Sequence, residues 1–150
     1  MKRKILIVED NVGLSQIQKD WLSRAGYDAV TAMSEPIARS LIRKTQFDLI
    51  LSDVRLPEGD GISLLEWLRK EKKDIPFIIT TEFVSVPDVV RTIKLGARDY
   101  LPKPVHREHL LELAEDVFHP VATVRKQERQ LFRRISPMIL KVEKFARLVA

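Results

Sequence analysis

Five residues able to act together each sit at the end of an apolar run. Glu9 and Asp10 close "KILIVED", Asp53 ends "FDLILSD", Thr81 ends "IPFIITT" and Lys103 falls in "RDYLPKP". Carboxylates gathered at one point repel one another and need a cation among them. No Cys occurs in the chain and no His stands at these positions. Thiolate sites are thereby excluded, and an all-oxygen donor set suits a hard cation, Mg2+ best, with Mn2+ as a substitute. An ammonium from Lys103 and a hydroxyl from Thr81 would complete the groups that transfer of a phosphoryl group onto a carboxylate requires. That chemistry is mostly positioning and neutralisation of charge on the phosphoryl oxygens. Its product is a covalent aspartyl phosphate.

These residues can combine only if the fold brings the ends of distant runs together. The pattern between them predicts that it does. Residues 11–26 place Leu14, Ile17, Trp21, Leu22 and Ala25 at helical spacing and end at Gly26. Residues 27–33 form a weaker strand. Residues 34–46 open on Ser34 as N-cap, with Ile37, Leu41 and Ile42 on one face. A third helix over 61–73 turns Ile62, Leu65 and Leu68 inward. A fourth covers 86–96, and a fifth 106–118. The five strands lack alternating polarity, which argues for a parallel sheet covered on both faces. The expected fold is α/β and flavodoxin-like, a doubly wound five-stranded sheet of order 2-1-3-4-5 with five helices. Ligands then bind outside the carboxyl ends of strands 1 and 3. Glu9, Asp10, Asp53, Thr81 and Lys103 all fall on that edge.

With the order and placement of "VED" (8–10), "DVRLPEGDG" (53–61), "TT" (80–81) and "GARDYLPKP" (96–104), the chain resembles the receiver (phosphoacceptor) domain of two-component response regulators. The resemblance runs over about residues 3–119. It implies Asp53 as phosphoacceptor, Asp10 and Asp53 as direct Mg2+ ligands, the backbone carbonyl of Arg55 as a third, and Glu9 acting through water. It further implies that Lys103 pairs with the phosphoryl group, that Lys103–Pro104 is cis, that Thr81 is the switch hydroxyl, and that Tyr100 turns inward when that hydroxyl moves. Pro57 and Gly61 match turn positions, so Glu58 and Asp60 need no catalytic role. One departure is Glu82, where the family usually has Ala or Gly; it could obstruct small phosphodonors or simply face solvent. Arg55 and Phe83 match variable positions that influence phosphate hydrolysis.

The resemblance implies a histidine kinase or phosphotransfer protein as donor. It also implies output through the face of the fourth helix, fifth strand and fifth helix, by partner switching or homodimerisation. Two rival readings are a phosphorylation-independent scaffold, suggested by Glu82, and a Mg2+-dependent aspartyl phosphatase. The second lacks its acid/base, because Arg55 stands two residues after Asp53. No Gly-rich phosphate loop follows the first strand, which counts against a nucleotide-binding module. His106, His109 and His119 read as surface residues, and Trp21 and Trp67 as packing.

The net charge of +5 is concentrated in residues 121–150, with eight Lys/Arg against two Glu, which leaves about −1 for residues 1–120. The expected division is a receiver over 1–119 and a basic helical extension over 120–150. From Leu110 through Ala114 and Val117 to Val149, apolar residues recur at spacings of four and three, broken by Glu128. Pro120 and Pro137 interrupt the seam, and Ser136-Pro137 suits a helix start. The extension reads either as a dimerising or folded-back helical segment or as the start of a longer output module. Its basic residues are expected on a solvated face, and direct DNA binding by this chain is not expected. No leader or membrane-length apolar run is visible, so a cytoplasmic protein is the expectation.

Overall fold

Consecutive buried residues in the first strand alternate between two separate cores, and this dictates the layering. The computed structural model describes residues 2–119. In β1 (Lys4–Val8), Ile5 and Ile7 join one hydrophobic cluster while Leu6 and Val8 join the other, all with no solvent exposure. A strand buried on both sides needs apolar residues at every position, which is why this sequence shows no alternation. The same holds for β3 (Leu49–Asp53) and β6 (Phe77–Thr81), in which every residue is buried.

With β2 (Asp28–Ala32) and β7 (Asp99–Pro102), these strands form one parallel sheet of order β2-β1-β3-β6-β7. This is the order expected from the sequence, counted over the strands of that sheet. Two further strands of two residues each, β4 (Arg55–Leu56) and β5 (Gly59–Asp60), make an antiparallel hairpin directly after β3. The sequence reading treated that segment as a turn.

The helices are α1 (Val12–Arg24), α2 (Glu35–Lys44), α3 (Gly61–Lys70), α4 (Val86–Lys94) and α5 (Arg107–Phe118). Leu22 of α1 and Leu110, Leu113 and Ala114 of α5 complete one cluster. Ala38, Ile42, Leu64, Leu65, Leu68 and Val89 from α2, α3 and α4 complete the other. Caps fix where helices begin: Asn11, Ser34 and Asp60 accept from the backbone N–H groups of Leu14, Ile37 and Ser63. Asp60 is thus a helix cap, a role the sequence reading does not assign to it.

Two helix faces differ from the sequence reading. In α1 the buried residues are Ser15, Gln18 and Leu22, while Ile17 is 49% exposed and Ala25 is also exposed. In α2 Ile37 is 48% exposed, and the inward positions are Glu35, Ala38 and Ile42. Both inward faces follow a spacing of three, then four. In α3 the expected Ile62, Leu65 and Leu68 are all buried.

The expected seam also changes meaning at its start. Leu110 and Ala114 are fully buried against the sheet. The part of the repeat inside α5 therefore serves the domain core and not a partner helix. From Val121 onward the seam lies outside the described residues. So do the helix start at Ser136-Pro137 and the extension as a whole.

Candidate functional site

Parallel pairing carries the ends of β1, β3 and β6 to one edge of the sheet. Val8 stands opposite Ser52, and Asp53 opposite Thr80. The residue after each strand, or its last residue, therefore opens on a common cleft of about 300 Å³. Glu9, Asp10, Asn11, Asp53, Arg55, Thr81, Glu82, Phe83 and Lys103 all contribute to its lining. Clefts of similar volume elsewhere, such as that between the β4–β5 hairpin and α4, gather no comparable set of carboxylates among the described residues.

Asp53 is nearly buried. Its Oδ2 receives a hydrogen bond from Lys103 Nζ at 2.9 Å, and its Oδ1 a long one from the Arg55 backbone N–H at 3.4 Å. Lys103 Nζ also donates to Glu9 Oε2 at 2.9 Å, so one ammonium bridges two carboxylates. Burial lowers the affinity of Lys103 for its proton, but its hydrogen bonds and charge contacts with Asp53 and Glu9 outweigh this and raise its pKa. Burial raises the pKa of Glu9, and the charge of Asp53 adds to the rise against the opposing pull of Lys103. Glu9 Oε1 also accepts from the Asn11 N–H at 3.2 Å.

Glu9, Asp10 and Asp53 each place a carboxylate oxygen within 4.8 Å of the others. Asp10 is the exposed member, and Glu9 and Asp53 are buried. Three carboxylates at this separation, with no nitrogen or sulfur donor, fit a hard divalent cation. The donor set therefore agrees with the Mg2+ expected from the sequence.

The cleft floor explains two further letters of the sequence. A Cβ on Gly61 would lie 2.2 Å from the Asp53 carbonyl oxygen, so the start of α3 packs directly behind the strand end. A Cβ on Gly59 would meet the Glu35 carboxylate at 1.6 Å. That carboxylate is buried, pairs with Arg39 and accepts the Asp60 N–H. Glu35 thereby ties α2 to the hairpin beside Asp53. Sequence reasoning missed this role, because nothing local distinguishes a helix-start Glu that turns inward.

Adjacent threonines separate by strand alternation. Thr80 is buried beside β3, its hydroxyl 3.5 Å from the Ser52 carbonyl, whereas Thr81 lines the cleft. The Thr81 hydroxyl donates to the Phe83 carbonyl at 2.9 Å and accepts from the Phe83 N–H at 3.1 Å. Phe83 is 62% exposed, and the Arg55 guanidinium stacks over its ring at 4.8 Å from the centroid. Glu82 is exposed at the cleft edge and does not fill it.

Tyr100, expected to turn inward when the Thr81 hydroxyl moves, occupies a single position here. It is already fully buried, packed in the cluster beneath α4. Its hydroxyl lies towards the Thr81 side chain and the Ser85 backbone but has no hydrogen bond of good geometry. Burial, with the charge of Asp88, raises its pKa. The Lys103–Pro104 peptide is cis, as the resemblance implied.

Comparison with known proteins agrees with this architecture. The family model described as the response regulator receiver domain matches residues 5–115. The chain belongs to that family. The transcriptional regulatory protein GlrR of Escherichia coli (strain K12) is 32% identical over 147 residues, covering 97% of this chain and 33% of GlrR. ZraR of Salmonella typhimurium, also a transcriptional regulatory protein, is 40% identical over 114 residues, 76% of this chain and 26% of ZraR. The chain thus spans about a third or less of the length of these relatives.

Among solved structures, the non-phosphorylated HemR receiver domain of Leptospira biflexa superposes with a TM-score of 0.74 at 35% identity, covering 81% of this chain and 98% of that one. A CheY-like receiver domain from Methanospirillum hungatei gives 0.75 at 29%, covering 87% and 99%. The receiver has the family's flavodoxin-like fold. Among the described residues no helix is long and apolar enough to cross a membrane.

Proposed function

We propose that this receiver accepts a phosphoryl group on Asp53 from a phosphohistidine of a histidine kinase or phosphotransfer protein. The observation that carries the reading is Lys103 Nζ, set 2.9 Å from the Asp53 carboxylate inside a cluster of three acids. In the reaction an Asp53 oxygen forms a bond to phosphorus while the phosphorus–nitrogen bond of the donor breaks. The donor imidazole leaves with the electron pair and takes up a proton. Mg2+ held by Asp10, Asp53 and the Arg55 carbonyl, with Glu9 reached through water, would offset charge on the phosphoryl oxygens.

The protein's own groups do the remaining work. Lys103 exchanges carboxylate contacts for contacts to the phosphoryl group, and Thr81 supplies a hydroxyl donor. Near-burial of Asp53 limits access of water. The consequence is a signalling switch and not a metabolic enzyme. A phosphatase reading is disfavoured because Arg55, at the position that would need an acid, stacks away on Phe83. A scaffold role is disfavoured because Glu82 leaves the cleft open.

Output is assigned to the face of α4, β7 and α5, where Val90 and Ile93 of α4 are each more than 40% exposed. Such a face suits partner binding or self-association, with phosphorylation shifting a two-state population. The match to GlrR runs beyond the receiver model's end at residue 115. It supports reading residues 120–150 as leading towards an output module. Intact mass after incubation with a small phosphodonor or a kinase and Mg2+ tests the assignment. The expected result is one added phosphoryl group, absent in Asp53→Asn. A label retained by Asp53→Asn would overturn it.

A further inference from the structure

A hydroxyl has one proton to give, and that of Thr81 is spent on the Phe83 carbonyl at 2.9 Å, while its oxygen accepts the Phe83 N–H at 3.1 Å. Before Thr81 can donate to a phosphoryl oxygen, this two-residue turn must open. Phe83 is also held by a side-chain contact. Its exposed ring is covered by the Arg55 guanidinium at 4.8 Å. Arg55 itself lies in the β4–β5 hairpin opposite Asp60, and its backbone N–H makes a long contact of 3.4 Å with the Asp53 carboxylate. A continuous chain of contacts therefore runs from the phosphoacceptor, through Arg55 and Phe83, to the switch hydroxyl. Tyr100, by contrast, is already buried.

We propose that Arg55 and Phe83 are positioning residues that latch Thr81 in the resting receiver. Phosphoryl binding in this chain has to open that latch and does not have to rotate Tyr100 inward. The proposal rests on Asp53 being the phosphoryl acceptor. The latch acts on Thr81 through the Phe83 backbone, and the Arg55 side chain supplies the force that keeps the backbone in place. An exposed guanidinium–ring contact is worth a factor of about two to five in an equilibrium constant. Removing either partner should make the phosphoryl-bound state easier to reach by that factor.

The test is titration of the purified chain with beryllofluoride, a phosphoryl mimic, at saturating Mg2+. Wild type, Phe83→Leu, Arg55→Met, the double variant, Phe83→Trp and Asp53→Asn are compared. Phe83→Leu and Arg55→Met are expected to bind about two- to fivefold more tightly than wild type. The double variant should match either single one, because both break the same contact. Phe83→Trp keeps a ring under the guanidinium and should restore the wild-type affinity. Proton NMR without beryllofluoride reads the latch directly. The Arg55 side-chain protons should be shifted upfield by the Phe83 ring and lose that shift in Phe83→Leu.

Unchanged or weaker binding in Phe83→Leu, or single effects that multiply in the double variant, would overturn the latch. So would an unshifted Arg55 in wild type. Equal binding by Asp53→Asn and wild type would instead overturn the Asp53 reading, a result separable from the NMR one. Melting curves of each variant without ligand confirm that the folded protein is being compared.

Discussion

At the scale of residues, Lys103 is the group whose removal separates electrostatics from packing. Its ammonium holds Glu9 and Asp53 together at 2.9 Å each. Lys103→Met keeps most of the stem's volume and leaves two carboxylates facing one another without a cation. Breaking a fully buried ion pair from one side costs about 3–5 kcal/mol. This site opens on a cleft, so a loss on the order of 1–3 kcal/mol is expected in chelator. Added Mg2+ should raise the melting temperature of Lys103→Met more than that of wild type, because the metal replaces the missing charge. Thermal melts in chelator and in Mg2+ check this, and an equal metal response in both proteins would argue against a shared cation site. Asp10, Asp53 and Lys103 were legible as a set because each follows an apolar run. The choice of Thr81 over Thr80 was legible only through alignment with a family pattern. Strand alternation supplies the physical reason, since only one of two neighbouring side chains can face the cleft. The Arg55–Phe83 stack had no signal in the sequence, being a contact between a hairpin strand and a loop 28 residues apart.

At the scale of elements, Gly61 shows how a helix start can be set by its neighbour and not by propensity. Ala is intrinsically better than Gly inside a helix by about 1 kcal/mol. Here its Cβ would lie 2.2 Å from the Asp53 carbonyl and 2.8 Å from the Ser52 hydroxyl. The close contact with backbone should win. Gly61→Ala is expected to lose about 1–3 kcal/mol of stability in denaturant unfolding and to slow phosphoryl uptake by displacing Asp53. A more stable variant would contradict this account of the cleft floor. Strand identity was easy to read because burial on both faces leaves an unbroken apolar run. The inward faces of α1 and α2 were harder. Ile17 and Ile37 are exposed while Gln18 and Glu35 are buried, and hydrophobic spacing alone cannot foresee a buried Glu35 whose carboxylate accepts from Asp60, 25 residues along the chain. The short β4–β5 hairpin was missed because two-residue strands carry no periodicity.

At the scale of the whole molecule, both tyrosines report on the integrity of the two cores. Tyr27 packs on Phe118 with ring centroids 5.3 Å apart, and its hydroxyl is 3.4 Å from Glu115. Tyr100 lies in the opposite cluster. Burial raises both pKa values, with help from Glu115 and Asp88 respectively. The native protein therefore keeps these protons at a pH where the unfolded chain, with tyrosines near 10, has begun to lose them. Stability should be unaffected by these groups below about pH 10 and should fall as pH rises from there through the native pKa values. Ultraviolet titration of native and denatured protein checks the sign, and an ordinary pKa for Tyr100 in a Tyr27→Phe background would show that the ring is not buried.

The Tyr27–Phe118 contact fixes the end of α5 near β2. Arg3 lies over the Phe118 ring at 5.5 Å. The end of α5 is thus held by an aromatic and a cation contact, which the repeat pattern alone does not disclose. The central claim is chemical, that Asp53 becomes an acyl phosphate. Borohydride reduces an aspartyl phosphate to homoserine, so reduction followed by peptide mapping locates the modified residue. After incubation with phosphodonor and Mg2+, the account predicts homoserine at position 53 and its loss when Mg2+ is chelated. Homoserine at another aspartate, or none in protein that has gained phosphoryl mass, would contradict it.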